Sequence, residues 1–474
     1  MKIENHLKKG SNWALTIRPL HLFANKLDIL DQKIKSMLNN KLLFSILLFS
    51  IFVWFIFQAV FFALNVIYTV PPDEGSQLIT AKLYNESNCL TIENSPKTYW
   101  MGNVKTRPLY PMIMGKIFLN INNIFGISDY IFLRIINVIL GIFFMFFSYL
   151  MIKEVTKNKL IQLSILIILS NLMMLVFLYG AISRDNLTNL IAVMSIYYMI
   201  KFIKTCNRFY LLMILLTMVI GSLTKISYLP LIVIELAIFL FFIKEIINNK
   251  DKLLVKKIKI KELSCIVVII ILGIANVMHY GGNLIKYKTL EPSLGQAEGK
   301  NIKSSNEKVY IMLAKTAHTR DKMNIFEYSV EWYKSIKDKT LGIMAHRHLH
   351  KSNNNIQMVL VNIIILISTI ILLLNTKKLF KDKPLLILVL ISISYLLIIL
   401  LYVNYRSYSI THDISAGLQG RYIFPIITPL ITFIIYFVMF KLPEIAKLLF
   451  TLIITILFVS EGFFYFVEHG SHFL

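Results

Sequence analysis

Eleven stretches of about 20 apolar residues recur along this chain, and no soluble fold has use for so many. The hydrocarbon core of a bilayer is about 30 Å thick, a distance that about 20 helical residues cross. The stretches lie near 42–66, 130–152, 160–180, 187–203, 209–223, 226–243, 263–280, 357–375, 384–404, 422–440 and 446–466. At that depth no water satisfies the backbone, so each stretch is expected as helix. Composition agrees, with 56% of residues hydrophobic and 16% charged, against about 45–50% and about 25% in soluble domains. The chain reads as an all-α polytopic membrane protein. That excludes a cytosolic enzyme, a secreted scaffold and a disordered chain. Cys206 and Cys265 fall in or beside apolar stretches and Cys89 in a polar loop. They build neither a disulfide framework nor a CxxC metal site.

The net charge of +24 would suggest nucleic acid in a soluble protein. Here no compact basic-aromatic domain is left over for it, and basic loops orient membrane helices instead. With the N terminus inside, the short cytoplasmic segments and the first 41 residues carry 27 Lys and Arg. The short outer connections carry only Arg184, Lys225, Arg406 and Arg421. The expected organisation is a basic cytoplasmic tail over 1–41 and a membrane domain over 42–466. Two large extracytoplasmic loops, 67–129 and 281–356, belong to that domain, and 467–474 form a short outer tail. The first stretch is too long for a signal-peptide core and lacks a small-residue cleavage site, so it is expected to stay attached. The tail, with Lys8, Lys9, Arg18, Lys26, Lys33 and Lys35, suits anionic headgroups of the lipid bilayer.

Charge at membrane depth is costly, about 2.5–3.5 kcal/mol per residue on insertion scales, so its placement is informative. Pro71-Pro72-Asp73-Glu74 follows the outer end of the first stretch. Arg134 and Asn137 sit in the outer turns of the second, Arg184-Asp185-Asn186 joins the third and fourth, and Lys225 joins the fifth and sixth. Gln419-Gly420-Arg421-Tyr422 begins the tenth. Under the topology above, all of these face one side. Two prolines stop the preceding helix and imply an extended exit. The adjacent carboxylates then read either as solvated acids of an interfacial turn or as a general base or metal ligand. Repulsion between neighbouring acids raises the proton affinity of one. Arg421 reads either as an interface anchor or as a fork gripping a phosphate. Lys225 and Arg134 reach the same positive well or snorkel. Asp185 has Arg184 or Arg134 as candidate partners.

The first outer loop carries Lys105-Thr106-Arg107-Pro108-Leu109-Tyr110-Pro111, then an amphipathic stretch, Met112 to Leu119, fitting a helix in the interface plane. His346, His348 and His350 alternate in the second loop and read as solvated, since no cysteine or paired carboxylate accompanies them. Asn85-Glu86-Ser87 and Asn186-Leu187-Thr188 match the glycosylation acceptor pattern, and no role is assigned to them.

A long first helix, a carboxylate pair opening the outer loop and a second helix near residue 130 together resemble the C-type (GT-C) membrane glycosyltransferases. The likeness sharpens to a bacterial family of membrane proteins of unknown function, with a PPDE-type motif in the first loop and a late QGRY-type motif followed by proline. Here these are Pro71-Pro72-Asp73-Glu74 and Gln419-Gly420-Arg421-Tyr422-Ile423-Phe424-Pro425. Arg107-Pro108-Leu109-Tyr110, the Arg134/Asn137 pair, Ser183-Arg184-Asp185-Asn186 and Lys225 are similar too, so the likeness covers roughly 40–470. One departure is Gly75-Ser76-Gln77, where the family pattern often has Pro-Ala-His. Gln77 can hydrogen-bond there but cannot titrate.

The resemblance implies transfer of a sugar from a polyprenyl-phosphate-linked donor to a cell-envelope acceptor, a glycan or a lipid-linked molecule. Asp73 would be the catalytic base, with Glu74 orienting the acceptor or helping to hold a divalent cation, Mg or Mn. Arg421, Lys225 and Arg134 would neutralise the departing phosphate, with Arg107, Tyr110, Asp185, Gln419 and Tyr422 completing the substrate site. A single displacement at the anomeric carbon inverts its configuration. Two alternatives stand beside this. A ligase or polymerase of lipid-linked oligosaccharides needs the same outer basic residues. A transporter or flippase would want polar residues at several depths and matched broken helices, whereas here they gather at one end without a repeat.

Overall fold

The structure is a computed structural model, and it describes residues 28–87, 109–249, 258–292, 296, 305–352 and 354–474. Each of the eleven apolar stretches falls on apolar helix. Among the described residues, eight helices are long and apolar enough to cross a membrane: α1 (Lys41–Asn65), α3 (Asp129–Val155), α6 (Arg184–Thr205), α9 (Ile260–Tyr287), α11 (Ile356–Leu374), α12 (Lys383–Thr411), α13 (Gly420–Met439) and α14 (Glu444–His469). Two shorter apolar helices, α7 (Arg208–Thr224) and α8 (Ile226–Phe241), account for the fifth and sixth stretches. The third stretch is broken: α4 (Lys159–Ser170) and α5 (Met173–Tyr179) meet at a bend of 66°. The all-α polytopic class therefore holds, and the described residues add only one small hairpin, β1 (Ile343–Met344) with β2 (His348–Leu349).

A break inside the bilayer frees backbone groups that lipid cannot satisfy. Helix α1 supplies the partners. Gln58 donates to the Ser170 carbonyl at 2.9 Å, and the Trp54 indole donates to the Asn171 side chain at 2.9 Å. Every residue of α5 is buried. Its end lies against the small-residue face of α1 at Ala59 and Ala63. A Cβ on Gly180 would stand 2.6 Å from the Phe62 Cβ and 2.9 Å from the Ala59 carbonyl oxygen. Helices α6 and α13 are the most enclosed of the long spans, while α9 leaves its apolar surface outward, as a lipid-facing helix must.

Outside the spans, α2 (Glu74–Glu86) packs under a bent helical segment that runs from Leu109 to Phe125. That segment buries Met114, Gly115 and Leu119 and exposes Ile117, Ile121 and Ile124, in keeping with a place at the interface. Helix α10 (Ile325–Leu341) carries a capping box, in which Asn324 accepts from the Glu327 backbone N–H and Glu327 accepts from that of Asn324. The exit from α1 is not extended as the prolines suggested. Residues 71–74 form a turn, with the Glu74 N–H directed at the Pro71 carbonyl and Asp73 in the left-handed region at φ +63°. The hairpin closes over it, since His346 N–H donates to the Val70 carbonyl at 3.0 Å.

Candidate active site

Asp73, Asp185, Lys225 and Arg421 converge at one end of the bundle, from four chain segments. Arg421 is the hub. Its Nη2 donates to Asp73 Oδ2 at 2.8 Å, and its Nη1 stands 3.3 Å from Asp185 Oδ2. Gln419 accepts from its Nε. Lys225 pairs with the other oxygen of Asp185 and lies over the Tyr422 ring, 5.3 Å from its centre. The sequence did not suggest Lys225 and Arg421 as partners of Asp185, and of its two candidates Arg134 is bound to Glu74 instead. Arg184 is still near enough for its charge to act on Asp73. Asp73 is half exposed, whereas Arg421 and Asp185 are almost enclosed. The arrangement is a floor of two cations bridged by the enclosed Asp185, with one accessible carboxylate at its rim.

Local structure fixes these positions. Ser183 caps α6 by accepting from the Asp185 N–H at 3.2 Å, which sets Asp185 in the first turn. Lys225 sits between α7 and α8, where the chain reverses. The loop before Arg421 is held from below. Lys339 donates to the Leu418 carbonyl at 2.9 Å, and Asn404 donates to Gly417 while accepting from Trp332. A Cβ on Gly420 would lie 2.3 Å from the Lys339 carbonyl oxygen, so only glycine lets the loop and α10 approach this closely. Lys339 and Asn404 were not singled out in the sequence, because nothing local connects them to a motif 80 residues away or across a loop.

Glu74 and Arg134 are brought together, but away from the accessible floor. Arg134 Nε donates to Glu74 Oε1 at 2.8 Å and Nη2 to Oε2 at 2.7 Å. Oε1 also accepts from the Ile182 N–H and Oε2 from the Thr69 N–H. A carboxylate has about four lone-pair sites, and here all four are taken. Arg134 Nη1 donates to the carbonyls of Ala63 and Val66, and both side chains are fully buried. The expected roles of Glu74 on acceptor or cation, and of Arg134 on phosphate, are thus corrected. The pair staples α1, α2, α3 and the α5–α6 turn together.

Tyr110 is similarly enclosed. Its hydroxyl donates to Asn137 Oδ1 at 3.0 Å, which also accepts from Asn186 at 2.9 Å. Asn186 is buried in that network and is no open glycosylation acceptor. Arg107 lies outside the described residues. With Glu74 saturated, the pair proposed for a divalent cation is reduced to Asp73, and among the described residues no three His, Cys, Asp or Glu gather as metal ligands. Of the loop histidines, His350 pairs with Asp338 at 2.7 Å.

The electrostatics of Asp73 also reverse an expectation. Burial pushes its carboxyl up, but the Arg421 charge and hydrogen bond more than offset this and hold it below the ordinary value. The acid whose charge pushes it up is Asp185, across the site, rather than the adjacent Glu74. At Lys225, burial pulls the ammonium down to about 8 against the attraction of Asp185.

Residues 92–431 match the family described as predicted membrane protein, DUF2142. The chain belongs to that family. The match to DUF2142 spans Asp185, Lys225 and Arg421 and begins after Asp73. A comparison with curated proteins finds no match.

Proposed function

We propose that this DUF2142 chain is a membrane glycosyltransferase of the plasma membrane, acting on its extracytoplasmic face. It moves a sugar from a polyprenyl-phosphate donor to a cell-envelope acceptor, with inversion. The observation that carries the reading is the contact between Asp73 and Arg421, at 2.8 Å. It joins the one accessible acid of the site to the cation best shaped to grip a phosphate.

A second feature supports a lipid-linked donor. A cavity of about 350 Å³ with an almost wholly apolar lining lies between α10, α11 and α13, walled by Trp332, Ile336, Ile364, Ile427 and Ile431. Its size is within the range of about 300–1,000 Å³ typical of ligand sites. Ile423, two residues after Arg421, is part of its wall. A hydrocarbon chain in this cavity would present its phosphate toward the guanidinium.

The chemistry follows from the competition for Arg421. While Arg421 is bonded to Asp73, the carboxylate is a weak base. A donor phosphate that draws Arg421 away restores its basicity as the reactants assemble. Asp73 then takes the proton of the acceptor hydroxyl, whose oxygen attacks the anomeric carbon. The bond to the phosphate oxygen breaks, and Arg421 and Lys225 neutralise the charge that develops. No second carboxylate is needed as nucleophile.

The test is transfer in membranes supplied with a lipid-linked sugar. Asp73→Asn is expected to lose about 10²–10⁴-fold, as removal of a general base does, and Arg421→Ala to fall comparably. Near wild-type transfer by both variants would overturn the assignment.

A further inference from the structure

A second buried acid lies far from this site. Glu235, on α8, is fully enclosed, and among the described residues neither of its carboxyl oxygens has a hydrogen-bond partner. The hydroxyls of Ser195 on α6 and Tyr228 on α8 are fully buried and equally unpartnered. Ser195 stands within hydrogen-bonding reach of both Glu235 and Tyr228, and Thr217 on α7 within reach of Tyr228, but the geometry of Glu235, Ser195 and Tyr228 leaves each without an aligned partner. Thr217 directs its own proton to the carbonyls of Met213 and Ile214, at 3.0 and 2.7 Å, so it offers only lone pairs. Oxygens of three helices thus gather at one buried place, and those of Glu235, Ser195 and Tyr228 have no aligned partner.

Depth matters here. Ser195 follows Asp185 by ten residues on α6, and Glu235 follows Lys225 by ten. At about 1.5 Å per residue that is about 15 Å below the candidate active site, or half of a hydrocarbon core of about 30 Å. An ionised carboxylate there is tolerated only with a compensating charge, and buried polar atoms without partners call for an unseen water or ion.

We propose that Glu235, Ser195, Tyr228 and Thr217 form a binding site for one small monovalent cation of sodium's size. The donor set is all oxygen, which suits a hard ion rather than a soft transition metal. The single carboxylate balances one positive charge, not two. A proton is the natural competitor, because a neutral carboxylic acid is the other way to remove the charge. The bound ion ties α6, α7 and α8 together beneath the Asp185–Lys225 pair. The inference stands whether or not the protein is a transferase.

Thermal unfolding of the full-length chain in detergent, in sodium, potassium or choline chloride at equal ionic strength, tests it. Sodium is expected to raise the midpoint saturably, as a ligand of the native state does, and more than potassium. Glu235→Gln should keep the choline midpoint or exceed it and lose the sodium response. A second readout covers a variant that fails to fold: the infrared carbonyl band of a buried protonated acid, present in choline and lost on adding sodium to the wild type. An unchanged midpoint and band in sodium would mean a plain protonated acid and would overturn the proposal. An equal sodium shift in Glu235→Gln would place the ion elsewhere and overturn it too.

Discussion

Arg421 donates to Asp73 at 2.8 Å across 348 residues of sequence. The contact joins the turn after α1 to the start of α13. Asp73 adopts φ +63°, a conformation uncommon for a residue with a Cβ. Its position is imposed by the Pro71–Glu74 turn rather than by a helix cap, since its side chain caps nothing. Local strain of this kind gathers where a side chain must be aimed.

Arg421→Gln should raise the proton affinity of Asp73. Burial already acts upward on this carboxyl, and the Arg421 charge and hydrogen bond are what bring it below the ordinary value. With them gone, burial, the largest cause, and the neighbouring Asp185 charge act upward against the Arg184 charge alone. In the wild type the stabilising contact is present above the ordinary Asp value of about 3.9 and is lost as pH falls through the depressed one. Carbodiimide labelling, which needs a protonated carboxyl, checks this by peptide mass spectrometry. At pH 5 the variant should label Asp73 faster than the wild type.

Breaking the Glu74–Arg134 staple should damage the fold, in contrast to changes at Asp73. Removing one member of a buried ion pair leaves an uncompensated charge and costs about 3–5 kcal/mol. Glu74→Ala and Arg134→Ala are both expected to lower the yield and unfolding midpoint of the purified protein. Asp73→Asn, at a half-exposed position, should leave both near wild type. Equal stability of all three variants would contradict the staple.

The pattern of the sequence carried the spans well, because lipid imposes one length and one polarity on every helix that crosses it. The short α7 and α8 and the bend at Asn171 are harder to read. They depend on partners in α1 and on the reversal at Lys225, which hydropathy does not see. At the site, Asp73, Asp185, Lys225 and Arg421 stood out because charge beside lipid needs a reason. The division of labour between Asp73 and Glu74 did not. Adjacent acids look alike in sequence, and the N–H groups of Thr69 and Ile182 that saturate Glu74 come from backbone whose placement is set by packing.

Gly420→Ala should reduce transfer while the bundle still forms. The added Cβ meets the Lys339 carbonyl oxygen at 2.3 Å and the Thr340 nitrogen at 2.9 Å. These are backbone atoms of α10 and cannot swing aside, so the loop carrying Arg421 must shift. A shift of about 1 Å at a positioned group is enough to cost about 10²-fold. The expected signature is a fall in kcat at near-normal unfolding midpoint. Full activity would show that the close contact with α10 does not position Arg421.

Lys225 gives the alkaline limb. Its ammonium is drawn down to about 8, so it loses charge in a range where ordinary lysines, near 10.4, stay protonated. Above that pH the floor of the site carries one positive charge fewer against a phosphate. The KM for a lipid-phosphate sugar should rise as pH passes 8, and Lys225→Arg, which cannot deprotonate, should flatten the rise.

Filling the apolar cavity should separate the lipid from the sugar in donor recognition. Ile431 lines the cavity from α13, away from the charged floor. In a tightly packed core, Ile431→Trp would cost about 1–3 kcal/mol by overpacking. A cavity of about 350 Å³ has room for the added ring, so the unfolding midpoint should change little. A long polyprenyl chain then competes with the indole for the same space, and its KM should rise at least tenfold. A donor with a chain of one or two isoprene units never reaches Ile431, and its KM should stay unchanged. Equal effects on both donors would mean that the chain lies elsewhere and that this cavity serves only the packing of α10, α11 and α13.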